Sequence, residues 1–200
     1  MMATTISIRE KEQDLLFIQD NFNQFSQREI ARKLKIGKTT VNRWSGELGL
    51  QFEKPTANES FFDLFNESSL YLLGFIYADG NVAWNPTKGY YTLTITSSAK
   101  DKDHLEKLRS SLLSTKTLLY AQTTNSYRLI VNSKKICSRL MELGVFPHKS
   151  LTILFPRFLT LEQLPPFLRG VIDGDGNVRY VSRRRSPYFE ITISSGSLKF

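Results

Sequence analysis

Two short stretches of the 200-residue chain have residue types and spacing that could do chemistry. Tyr77-Ala-Asp-Gly-Asn-Val82 recurs as Asp173-Gly-Asp-Gly-Asn-Val178, 96 residues later. Each sets an aspartate, Asp79 or Asp175, at the end of an apolar, helix-like run, Leu72 to Gly80 and Leu168 to Gly176. In each run small residues lie four apart, Gly74 with Ala78 and Gly170 with Gly174, which places them on one helix face. Glycine inside a helix costs about 1 kcal/mol relative to alanine, and close approach of two helix backbones is a reason to accept that cost. If those faces meet, Asp79 and Asp175 arrive side by side at two helix C-termini, against the helix dipole and beside a like charge. A divalent cation removes the conflict, and paired carboxylate oxygens suit Mg²⁺ better than a softer metal. Carboxylates sharing metals are the usual machinery for phosphodiester hydrolysis.

A single Asp-Gly-Asn is an ordinary turn signal. The second copy also begins like an EF-hand loop, but Val178 stands where that loop needs glycine and Arg184 where it needs glutamate. The downstream strands settle the choice, because Tyr90-Tyr-Thr-Leu-Thr-Ile-Thr-Ser97 recurs as Tyr188-Phe-Glu-Ile-Thr-Ile-Ser-Ser195 at an offset of 98. The repeat is therefore a structural unit rather than a chance turn.

The elements around the motifs read as an αββαββα unit. Tyr91, Leu93 and Ile95 alternate toward a core, and Tyr90, Thr92, Thr94 and Thr96 toward solvent. A helix is expected from Asp101 to Leu113 with Asp101 as cap, strands near Thr117 to Thr123 and Tyr127 to Asn132, and a helix from Lys134 to Leu143 stopped by Gly144. The second copy has about 40 residues fewer after its aspartate than the first. A chain ending there is expected to have an open second core and weak stability or activity. The expected class is α+β, with a small all-α helix-turn-helix domain ahead of duplicated αββαββα units, the second incomplete. The expected boundaries are 1–52 for the helical domain, 53–60 for a linker, 61–150 for the first unit, 151–162 for a connector and 163–200 for the partial second unit.

In the first domain Ile30, Ala31, Leu34, Ile36, Val41 and Trp44 have the apolar spacing of a helix-turn-helix. Gly37 lies in the turn, Thr39 is the expected cap of the second helix, and Lys35 stands where glycine is common. Lys38, Thr40, Asn42 and Arg43 would then face a major groove. The pattern resembles recombinase-type DNA-binding modules.

The two nonapeptides resemble the signature of LAGLIDADG (dodecapeptide-type) homing endonucleases. Pro147-His-Lys-Ser150, Phe155-Pro156 and Phe167-Leu-Arg-Gly170 resemble that family's approach to its second motif. Tyr77 and Arg169 depart from the signature at positions other than the metal-binding one. The resemblance covers about residues 60 to 200 and implies a pseudo-symmetric nuclease that cuts both DNA strands. It further implies catalytic, metal-binding Asp79 and Asp175, carbonyl ligands from Ala78 and Gly174, Mg²⁺ as cofactor, and a lysine helper for which Lys134 is the choice. The sheets would saddle double-stranded DNA with Tyr90, Thr92, Thr94 and Thr192 and with Arg179, Arg183 and Arg185 of the strand before it.

Composition agrees with such a partner. Lys and Arg number 27 against 19 Asp and Glu, giving +8 and a sequence pI near 9.6. A lone cysteine, Cys137, and a charged N-terminus point to an intracellular protein that is neither secreted nor membrane-bound. The expected assembly is a monomer with internal two-fold pseudo-symmetry. Two other functions use the same elements: a transcription regulator that binds without cutting, and an RNA-splicing maturase.

Overall fold

The computed structural model describes residues 8–52, 56–182 and 186–200. Two compact units divide between Lys54 and Pro55. The first holds α1 (Ile8–Asn21), α2 (Gln27–Leu34) and α3 (Lys38–Glu47). Ile18, Ile30, Ala31, Val41 and Trp44 form its core. Helix α2 begins with a capping box, in which the Ser26 hydroxyl accepts from the Glu29 amide and Glu29 reaches back to the Ser26 amide. It ends at Lys35, which adopts the left-handed conformation (φ 54°) that glycine usually supplies. The cap of α3 corrects the sequence reading. Gly37 is the N-cap, with no side-chain hydrogen bond, and Thr39 lies inside the helix.

The second unit runs α4 (Glu67–Asp79), β1 (Gly80–Asn85), β2 (Tyr90–Ser98), α5 (Lys102–Ser111), β3 (Leu119–Ala121), β4 (Ser126–Val131), α6 (Lys134–Glu142), α7 (Leu164–Asp175), β5 (Gly176–Val181) and β6 (Tyr188–Ile193). This is the α+β order expected from the repeat. The first four strands form an antiparallel sheet in the order β1-β2-β4-β3, and β5 pairs with β6. Asn66 caps α4 through a second capping box with Ser69. Two prolines open α7, where their missing amides cost nothing. Asp101 precedes α5 but makes no side-chain cap bond. β3 is shorter than expected because a 3-10 turn at Gln122–Thr124 interrupts it.

The duplication is visible in the register. Gly80 pairs with Ile95 and Gly176 with Ile193, so each hairpin starts at the glycine after the aspartate. Val82, Leu93 and Ile95 are buried in the core of the first copy, which α5 and α6 cover. Their second-copy counterparts Val178, Ile191 and Ile193 are exposed.

Candidate active site

Helices α4 and α7 make the most extensive helix–helix contact in the second unit, and the small residues permit it. A Cβ built on Gly74 would stand 1.9 Å from the Phe167 carbonyl oxygen, and one on Gly170 would stand 2.0 Å from that of Tyr71. A Cβ on Gly174 would meet the Ala78 Cβ at 2.4 Å and Asp79 Oδ2 at 3.7 Å. Both helices end alike. The Gly80 amide donates to the Ile76 carbonyl and the Gly176 amide to that of Ile172, and both glycines are already extended. Strand follows helix with no intervening turn, so Asp79 and Asp175 are fixed at the two adjoining C-termini.

Two cavities flank this point. Asp79 lines one of about 510 Å³ with Ser97, Ser98, His104, Asp173 and Gly174. Asp175 lines one of about 100 Å³ with Tyr77, Ala78, Lys149, Ser194 and Ser195. Each acid thus shares its cavity with the two residues that precede the other acid, and with the end of its own copy's second strand. The two cavities are related by the repeat.

Lys149, 8% exposed, breaks that symmetry. Its ammonium donates to the carbonyl oxygens of Tyr77 at 2.6 Å and Ala78 at 2.7 Å, two acceptors that the end of α4 leaves open. Burial pushes its pKa down, and the charges of Asp175 and Asp79 oppose that shift. Burial pushes the Asp79 carboxyl up, the Asp175 charge adds to this, and Lys149 works against both. Two carboxylates and one cation therefore sit at the junction of two negative helix ends.

The other expected site residues are placed as follows. Lys134 is exposed at the start of α6, its ammonium 5.8 Å from the centre of the Tyr91 ring, so the lysine brought to the carboxylates is Lys149 and Lys134 is corrected. Thr92 also needs correction as a DNA contact. It is 5% exposed, and its hydroxyl donates to Asn132 Oδ1 at 2.9 Å. Alternation turned Thr92 away from the core, but a polar neighbour on that same face covers it. Tyr90 is exposed opposite Asn85, Thr94 is half-buried between Asn81 and Ile130, and Thr192 is exposed opposite Asn177. Arg179 forms an ion pair with Glu190, its cross-strand partner, which satisfies part of its charge. Arg183 and Arg185 lie outside the described residues. In α3, Lys38, Asn42 and Arg43 are exposed and Thr40 half-buried. Asn42 accepts from Gln27 Nε2 at 3.0 Å, and Arg43 lies 3.9 Å from Glu47.

Reasoning from sequence missed Lys149 although it had singled out Pro147-His-Lys-Ser150. A lone lysine at the start of a single 3-10 turn has no periodicity to mark it. The available signal was its neighbourhood, a short polar stretch at the end of the first unit, ahead of the second motif.

Two helices packed through small residues, delivering aspartates to one point and leading straight into strands, are the arrangement that the resemblance to LAGLIDADG proteins implies. Residues 66–144 match the family model for a LAGLIDADG-like domain. The chain is 28% identical over 167 residues to the uncharacterized protein MJ0398 of Methanocaldococcus jannaschii. That match takes in 79% of this chain and 56% of the relative, so the chain spans about half the relative's length. Among solved structures it is similar to a variant of I-DmoI in complex with its target DNA nicked in the coding strand, in the presence of manganese. The identity there is 19%, the match covers 68% of this chain and 90% of that one, and the TM-score is 0.41. A second is the I-LtrWI LAGLIDADG homing endonuclease bound to target DNA, at 12% identity, covering 62% and 65%, with a TM-score of 0.37. No helix among the described residues is long and apolar enough to cross a membrane.

Proposed function

We propose that the chain is a metal-dependent DNA endonuclease that cuts both strands of a long target, with the helix-turn-helix as a second DNA contact. The observation that carries this reading is the pairing of Asp79 and Asp175 at the touching ends of α4 and α7, two acids held where neither the helix ends nor the like charge favours them. The donor set fits Mg²⁺. Asp79 and Asp175 supply hard carboxylate oxygens, with the Gly174 carbonyl beside them, and Mg²⁺ takes one or two carboxylates and completes its shell with water and substrate phosphate. The Ala78 carbonyl already accepts from Lys149, which leaves it one lone pair for a metal. When bound, the ion would supply charge neutralisation at the scissile phosphate. The protein's own part is to hold the two acids in fixed positions and to keep a buried ammonium behind them, where negative charge builds on the phosphate. A single chain carrying both copies would act as a monomer with pseudo-two-fold symmetry.

The test uses a plasmid target recovered from a randomised-site library, incubated with the protein in Mg²⁺ or in EDTA. The nuclease reading expects linear product in Mg²⁺ and intact plasmid in EDTA. Tight binding with no cut under either condition would instead identify a regulator. Binding and splicing of an intron RNA would identify a maturase.

A further inference from the structure

The two cavities are related by the repeat but differ chemically. Lys149 occupies the one with Asp175, whereas the one with Asp79 contains a histidine, His104. His104 is half-buried in α5, its ring 5.1 Å from that of Phe75, centre to centre. It belongs to a hydrogen-bonded chain of three. Tyr71 donates its hydroxyl proton to Asp173 Oδ2 at 2.7 Å, and the Tyr71 hydroxyl oxygen lies 3.2 Å from His104 Nε2. A tyrosine hydroxyl has one proton. Since Asp173 receives it, Nε2 of His104 must be the donor in the second bond, and the neutral ring keeps Nδ1 as its acceptor. The chain is braced, because the Arg169 guanidinium stacks over the Tyr71 ring at 4.7 Å. Asp173 occupies the position that Tyr77 holds in the first copy. Tyr77 donates into the core, to the Leu143 carbonyl at 2.5 Å, so the substitution in the second copy is what creates the chain.

We infer that His104, oriented by Tyr71 and Asp173, accepts the proton of the attacking water in the Asp79 cavity, so the two DNA strands are cut by chemically different half-sites. The inference rests on the nuclease reading. In the step, the water oxygen forms the new P–O bond while its proton passes to Nδ1 of His104. One P–O ester bond breaks, and the departing oxygen takes a proton from solvent. The imidazolium then returns its proton to bulk water. The Asp175 half contains no histidine among its described lining residues and relies on the Lys149 ammonium instead.

The experiment follows each strand separately on a target labelled at both ends, with Mg²⁺, for the wild type, His104→Gln and Tyr71→Phe. A positioned general base contributes on the order of 10²-fold or more. His104→Gln should therefore slow one strand by about that factor and leave the other within about twofold, so that nicked DNA accumulates. Tyr71→Phe, which keeps the ring but releases His104, should slow the same strand by a smaller factor. A merely structural role would slow both strands together. With only two histidines in the chain, the ¹⁵N spectrum of the free protein provides a second readout, with His104 expected as the Nε2–H tautomer and Tyr71→Phe abolishing that preference. Equal loss on both strands, no loss on either, or an Nδ1–H tautomer in the wild type would overturn the inference while leaving a cutting wild type to support the nuclease reading. A wild type that cuts neither strand would overturn both.

Discussion

The Lys149 ammonium donates to the Ala78 carbonyl at 2.7 Å, one peptide unit ahead of Asp79. A residue of a 3-10 turn, 71 positions away in sequence, thus ties down the end of the helix that presents the first acid. The same cation opposes the rise that burial imposes on the Asp79 carboxyl, so backbone geometry and acid ionisation depend on one side chain.

Replacing Lys149 by methionine should show both roles. The Tyr77 and Ala78 carbonyls would lose their donor, at a cost of about 1–3 kcal/mol for buried groups left unsatisfied. The Asp79 carboxyl should titrate higher still, read by ¹³C NMR of its side chain. Cleavage should fall by about 10²-fold or more, as when a fixed charge is removed from a developing anion.

The pH dependence of stability follows from the direction of the Asp79 shift. Its folded-state pKa is raised, so it favours the folded state below the ordinary aspartate value of 3.8, and that contribution is lost as pH rises through the raised value. Asp79→Asn removes this loss. The metal-free variant should melt higher than wild type at pH 7, and the difference should close as pH falls toward 3.8. Thermal melts in EDTA across that range check it.

Glycines in helices should respond in opposite ways. Gly74→Ala or Gly170→Ala forces a Cβ into a backbone carbonyl 1.9 or 2.0 Å away, and overpacking of this kind costs about 1–3 kcal/mol or more. Melting of the second unit should fall by about 2–4 °C per kcal/mol. Gly46 in α3 has nothing within 4 Å of its built Cβ, so Gly46→Ala should stabilise the first unit by about 0.4–1 kcal/mol.

Much of this architecture was legible in the residues themselves. The offsets of 96 and 98 locate both helix ends and both hairpins, because a repeat imposes the same burial pattern twice. The spacing of Ile30, Ala31, Val41 and Trp44 likewise marks a packed helix pair. What stayed hidden depends on contacts between distant residues. Lys149 reaches α4 from a distant 3-10 turn, and Thr92 alternates outward yet is covered by Asn132. Arg179 loses part of its free charge to Glu190, a partner visible only once the strand register is known. Lys134 lies beside a strand, near Tyr91, but the lysine that reaches the end of α4 is Lys149.

The exposed face of α3 gives a prediction about binding alone. Arg43→Ala should weaken DNA affinity and lower the salt-dependence slope by about 1, as for one lost phosphate contact. The cutting rate at saturating DNA should be unchanged. Filter binding across a salt series, beside single-turnover cleavage, separates the two.

The most direct test of the paired-acid site is Mg²⁺-dependent cleavage by the wild type, Asp79→Asn and Asp175→Asn on one plasmid target. The site predicts linear product from the wild type, and loss of double-strand cutting by at least about 10²-fold in each single variant with DNA binding retained. Full double-strand cutting by both variants would contradict it.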